Sequence, residues 1–277
     1  MVLREARAVP AGHGLRWAKE GLELFAASPA VWLGITILFI MMGVVLSIIP
    51  FAGMFWSVVV PIHAGGLMLG CRALRQGRPL EVRHLFNGFE APRVQPLALV
   101  GALYLAGSLV VMLPVIMLAV AASLGSAFVV GSAGASTPAL VGMGLVALLI
   151  VLLVGAAIVV LSLALWFAPA LVVFDDVPAF EALKGSLRAG WLNVAAFTVY
   201  GLVLLGVGVV AVSPLVAAIL LAAARGDQAG SLAIVAIGGT ALFTFLCTIL
   251  VMPAAWGAMY ASYEDVFAPQ TQAEAST

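Results

Sequence analysis

The chain has 277 residues, 64% of them hydrophobic and 9% charged, with 12 Lys+Arg against 12 Asp+Glu. At a mean hydropathy of +1.22, so few charges could not cover the core of a water-soluble domain of this size. Nucleic-acid binding is excluded too, because the cations are few and border apolar runs.

The first segment holds several charges and leads into an apolar run longer than a secretory h-region, so it reads as the lead of a retained membrane helix rather than a cleaved signal. Within it Leu15, Leu22 and Phe25 recur at helical spacing opposite Arg16, Glu20 and Glu23. That pattern predicts an amphipathic helix lying in the membrane interface. Residues 24–71 carry no formal charge. They read as spans over about 31–49 and 54–71, long enough for a ~30 Å hydrocarbon core, joined by a turn at Ser47–Gly53.

A basic connection over 72–96 follows, with Val82, Leu85, Phe86 and Phe89 as the apolar residues of a second, shorter interfacial helix. The 81 residues between Arg93 and Asp175 are then free of formal charge. As one helix they would rise ~120 Å, so they must cross, turn and return. Spans over about 97–121 and 141–171 are expected, with a turn at Ser123–Pro138. In the next connection Phe180, Leu183, Leu187 and Trp191 oppose Glu181, Lys184 and Arg188, predicting a third interfacial helix. The last spans are about 193–221 and 232–261, with a turn at Arg225–Gly230.

The fold class expected is therefore all-α. It is a polytopic membrane protein of six transmembrane helices in three repeated hairpins, each preceded by a cytoplasmic amphipathic helix. A single integral membrane domain covers 1–277, with repeats over about 12–71, 81–174 and 178–263 and a short polar tail over 264–277. Prolines recur: Pro50, Pro114 and Pro214 toward the outer end of the first helix of each pair, Pro61, Pro169 and Pro253 in the second helix toward the cytoplasm. Each is expected to kink its helix. The exits rhyme as well, Phe174-Asp175-Asp176 matching Tyr263-Glu264-Asp265, whereas the first repeat has Cys71-Arg72 there. Eleven cations fall on the side of the termini and one, Arg225, on the other. The positive-inside rule then puts both termini in the cytoplasm.

His63 is the one titratable side chain well inside a span apart from Tyr and Cys, and so a candidate polar site. The plainer reading is a neutral histidine filling a gap and donating to a carbonyl freed by Pro61. The loop cations Arg72, Arg75, Arg78, Arg83 and Arg93 are candidates for anionic lipid headgroups, or set topology alone. The acidic pairs Asp175/Asp176 and Glu264/Asp265 read as helix ends rather than cation sites. Gly65-Gly66 and Gly101 suit close helix packing. Cys71 and Cys247 have neither metal nor redox spacing. No enzyme motif is present, and no cofactor or metal is expected.

The layout resembles a family of six-span inner-membrane proteins of Gram-negative bacteria that carries no assigned activity. The resemblance rests on Gly14-Leu15-Arg16-Trp17 through Glu23-Leu24-Phe25. It continues over Pro61 through Arg75-Gln76-Gly77-Arg78-Pro79 and over Leu85-Phe86-Asn87-Gly88-Phe89. More distantly the chain is similar to the membrane domain of glycerophosphodiester phosphodiesterases, whose catalytic domain has no counterpart here. The resemblance implies a multi-pass protein of the bacterial inner membrane. Two functions are weighed: a non-enzymatic protein organising lipids or assembling with a membrane partner, and a transporter or channel for a neutral or lipid-like molecule.

Overall fold

The computed structural model describes residues 5–49, 52–133, 137–225 and 230–267. Residues 1–4, 50–51, 134–136, 226–229 and 268–277, which hold Pro50, most of the expected polar tail and parts of the three expected turns, lie outside the described residues. Among the described residues all regular structure is helical. Six stretches are long and apolar enough to cross a membrane.

The first repeat comprises α1 (His13–Ala27), α2 (Pro29–Ile48) and α3 (Ala52–Arg75). Ser28 interrupts the helical path between α1 and α2 with φ −154° and ψ 62°, and Pro29 starts the new helix, where its missing N–H costs nothing. The helix α3 keeps Pro61 within it and ends at Gly77, whose φ of +70° suits glycine. Arg78 N–H then closes on Ala73 O at 2.9 Å, sealing the helix end.

The second repeat opens with two 3₁₀ turns, Val82–Leu85 and Asn87–Phe89, where an amphipathic helix is expected. The cause is local. Glu81 and His84 form a reciprocal capping box, and Gly88 comes so near the Ile62 carbonyl that a Cβ there would overlap it. Next come α4 (Val94–Ala133), α5 (Thr137–Trp166) and α6 (Ala168–Asp175). The turn expected at Ser123–Pro138 is mostly helix, since α4 runs through Ser123 to Ala133. Nothing in residues 115–133 breaks a helix as proline would, and an apolar medium favours satisfying every peptide group within the helix. Pro114 and Pro214 also sit inside unbroken helices.

The third repeat is α7 (Ala179–Leu192), α8 (Val194–Arg225) and α9 (Gly230–Val266). Its interfacial helix α7 matches α1 at a separation of 165 positions. The buried stripe Gly14, Trp17, Gly21, Leu24 of α1 becomes Ala179, Ala182, Ser186, Ala189 of α7. The break at Ser28 becomes the break at Asn193.

Each interfacial element docks on the preceding hairpin. The 3₁₀ turns pack on α3, α7 packs on α4, α5 and α6, and α1 closes the ring by packing on α8 and α9. The seams are made by small residues. A Cβ on Gly14 would strike Ala196 O, one on Gly21 would strike Ala254 O, and one on Gly101 would lie 2.5 Å from Val58 Cα. Burial concentrates at the end that carries the termini, where Trp17, Trp32, Leu67, Leu97, Phe167 and Val266 are inaccessible. Toward the tips Val110, Leu124, Val151, Val210 and Ile234 are exposed. The central element is α3: 56% of its most apolar window is buried, against 22% or less in the other five spans.

Candidate functional site

The three exits converge at the end that carries the termini. There the odd composition of the first repeat finds its reason. Arg75, at the end of α3, pairs with Glu20 of α1 and, at 3.3 Å, with Glu264 of α9. Glu20 also takes the Arg16 guanidinium at 2.7 Å, which raises Arg16 above its ordinary value. Tyr260 OH donates to Glu264 at 2.8 Å. Arg72 lies 4.8 Å above the ring of Phe174, a cation–π arrangement. Tyr263 OH donates to Asp175 at 2.6 Å and its ring stacks on Phe267 at 5.4 Å. A basic exit thus stands between two acidic, aromatic ones.

Beside this network Asp265, 5% exposed, gathers the N-terminal segment. Arg7 Nη2 donates to Oδ1 at 2.8 Å, His13 Nδ1 lies 2.7 Å from Oδ2, and Trp17 Nε1 donates to Oδ2 at 2.9 Å. Asn193 holds the same segment from the other side: its Oδ1 accepts Val9 N–H at 2.8 Å and its Nδ2 donates to Arg7 O at 3.0 Å. None of Arg7, His13, Trp17, Asn193 and Asp265 stands out in the sequence as a group. Their only sequence signal is that a charge or amide recurs where each repeat enters or leaves its spans.

Ser186 was also missed. Its hydroxyl accepts Phe167 N–H at 2.8 Å and donates to Leu163 O at 2.6 Å. It thereby bridges the ladder where α5 gives way to α6, on the N-terminal side of Pro169.

The loop cations divide. Arg72 and Arg75 are held inside the network. Arg83 pairs with Glu81 at 2.9 Å with its side chain 71% exposed, Arg93 reaches Glu90 at 4.0 Å, and Arg78 bonds Gln76 at 2.6 Å. His63 stands apart from all of these, buried in α3 with Nδ1 2.8 Å from Leu85 O. The ring donates to a backbone carbonyl, but the acceptor is Leu85 O in the neighbouring 3₁₀ turn and not a carbonyl freed by Pro61.

The interfacial helices carry further cations, among them Lys19, Lys184 and Arg188. On α1 and α7 the expected apolar faces divide, with Phe25 and Leu183 packing against the core. Leu15 and Leu22, with Phe180 and Trp191, are exposed on an outward flank. Lys19 and Lys184 occupy matching positions beyond it, their side chains 77% and 71% exposed and each 3.9 Å from a glutamate on its own helix. Among the described residues no cluster of three or more metal-ligating side chains occurs.

The chain is similar to a probable inner membrane protein of Burkholderia thailandensis, 27% identical over 209 residues that cover 70% of this chain and 73% of that protein. No protein-family model and no solved structure matches the chain. Six membrane-capable helices together with that relative mark an all-helical, multi-pass membrane protein.

Proposed function

We propose that this chain is a non-enzymatic protein of the bacterial inner membrane that gathers anionic lipid around its interfacial helices and so organises the surrounding leaflet. The observation that carries this reading is the match of α1 to α7. In both, a stripe at matching positions faces the bundle, large apolar residues are exposed on an outward flank, and a lysine stands at the same place. A helix lying in an anionic interface needs such a flank beside cations. Arg188, Arg78 and Arg83 extend the basic rim. The excess of cations at the end of the termini supports a cytoplasmic position for that end, and the name of the Burkholderia relative favours the inner membrane. The aromatic rings around His63 weigh against a polar transport path there.

The test is lipid mass spectrometry of the protein purified in native-lipid nanodiscs. Wild type should enrich phosphatidylglycerol and cardiolipin over the bulk membrane. Replacing Lys19, Lys184, Arg188, Arg78, Arg83 and Arg93 with Gln removes about 1 kcal/mol of attraction per cation, so the enrichment should fall to the bulk level. Equal enrichment in the variant would end this reading. The same spectra would register a stoichiometric protein partner.

A further inference from the structure

His63 lies midway along α3 with 0% exposure. Its Nδ1–H donates to Leu85 O at 2.8 Å, which leaves the lone pair of the neutral ring on Nε2. Nε2 is buried and has no hydrogen-bond partner among the described residues. Four aromatic rings wall the imidazole: Phe89 at 5.1 Å, Phe39 at 5.6 Å, Phe86 at 5.8 Å and Trp56 at 5.9 Å between centroids. Phe39 is buried, whereas Phe86 and Phe89 are 40% and 39% exposed. The wall that faces outward is therefore the one built by the 3₁₀ turns.

An unpaired buried acceptor is costly, and the surroundings narrow what would pair with it. A water is held by two to four polar partners, and the ring walls add none to Nε2. A cationic guest, or a second proton on the imidazole, would place charge inside a membrane-spanning segment at high cost. A hydroxyl carried on an apolar molecule needs only one acceptor, and its remainder stays in the hydrocarbon. We propose that His63 and its aromatic walls form a site for an uncharged lipid with a free hydroxyl, of the diacylglycerol type. The lipid displaces the Phe86–Phe89 pair, whose rings lie 6.4 Å apart between centroids, and donates its hydroxyl to Nε2. The site is separate from the cationic flanks, so either can fail without the other.

The probe is dioleoylglycerol, compared with the same lipid methylated at its hydroxyl, added to the full-length protein in detergent micelles and read by native mass spectrometry. The expected result is one saturable adduct with dioleoylglycerol, binding about tenfold weaker for the methyl ether, the worth of one buried hydrogen bond. His63→Phe, which fills the box without an acceptor, should lose the adduct while keeping its anionic-lipid enrichment. Equal binding of the two lipids to wild type overturns the proposal, and so does an adduct undiminished in a folded His63→Phe. Should His63→Phe fail to fold, the wild-type comparison alone decides.

Discussion

Arg7 and Asp265 lie 258 positions apart and are joined twice: Arg7 Nε donates to the Asp265 backbone oxygen at 2.6 Å, and Nη2 to the carboxylate at 2.8 Å. This pair ties the two ends of the chain together and closes the ring of repeats, because α1 can dock on the last hairpin only if the first and last segments meet. The Asp265 side chain is nearly inaccessible, whereas that of Arg7 is 38% exposed.

Asp265→Asn should therefore loosen the N-terminal segment more than it lowers overall stability. The amide keeps the shape and loses the charge that serves Arg7, His13 and Trp17. Water screens the exposed guanidinium, so a loss of about 1–2 kcal/mol is expected. Hydrogen exchange should rise in residues 5–12 and remain unchanged in α4 and α5. Unaltered exchange at the N-terminus would mean that the pair holds nothing.

Gly21 offers a sharper test of ring closure. Its added Cβ would meet Ala254 O and, at 2.6 Å, Ala258 N. Both are backbone atoms of α9 and cannot step aside. Gly21→Ala should lower the thermal midpoint in detergent by an overpacking cost of about 1–3 kcal/mol. Gly12→Ala, with nothing within 4 Å, should leave it in place.

The loop arginines should separate by role. Arg75→Gln breaks links to both Glu20 and Glu264 and should lower the thermal midpoint. Arg83→Gln removes an exposed pair worth at most about 1 kcal/mol and should not. Equal effects would contradict the assignment of Arg75 to the network that joins α1, α3 and α9 and of Arg83 to the rim.

Much of this architecture was legible in the sequence, and the rest was hidden for physical reasons. Charge-free runs marked the spans because a bilayer penalises charge wherever it falls in a run. The helix of α7 was visible through the spacing of Phe180, Leu183, Leu187 and Trp191, but Phe180 and Trp191 lie exposed on its outward flank while Leu183 packs against the core. Its docked face is Ala179, Ala182, Ser186 and Ala189, which no hydrophobicity pattern singles out. Between tightly packed helices the selected property is small size, and small residues look neutral on such a scale. The second interfacial element was expected as a helix from Leu85, Phe86 and Phe89, but the approach of Gly88 to Ile62 O left no room for one. The anomaly of Cys71-Arg72 was plain in the sequence. Its cause, two acidic exits brought beside a basic one, exists only in the fold.

The central claim is that α1 and α7 lie in the cytoplasmic interface with one flank in lipid and the cations in water. Spin labels on single cysteines, in a background lacking Cys71 and Cys247, test it directly. Leu187→Cys and Leu22→Cys should be quenched by oxygen, which concentrates in the bilayer. Lys184→Cys and Lys19→Cys should be quenched by a water-soluble nickel complex and react with a polar thiol reagent only from the cytoplasmic side. The account is contradicted if all four positions respond as water-exposed, or if the lysine positions react from the periplasm.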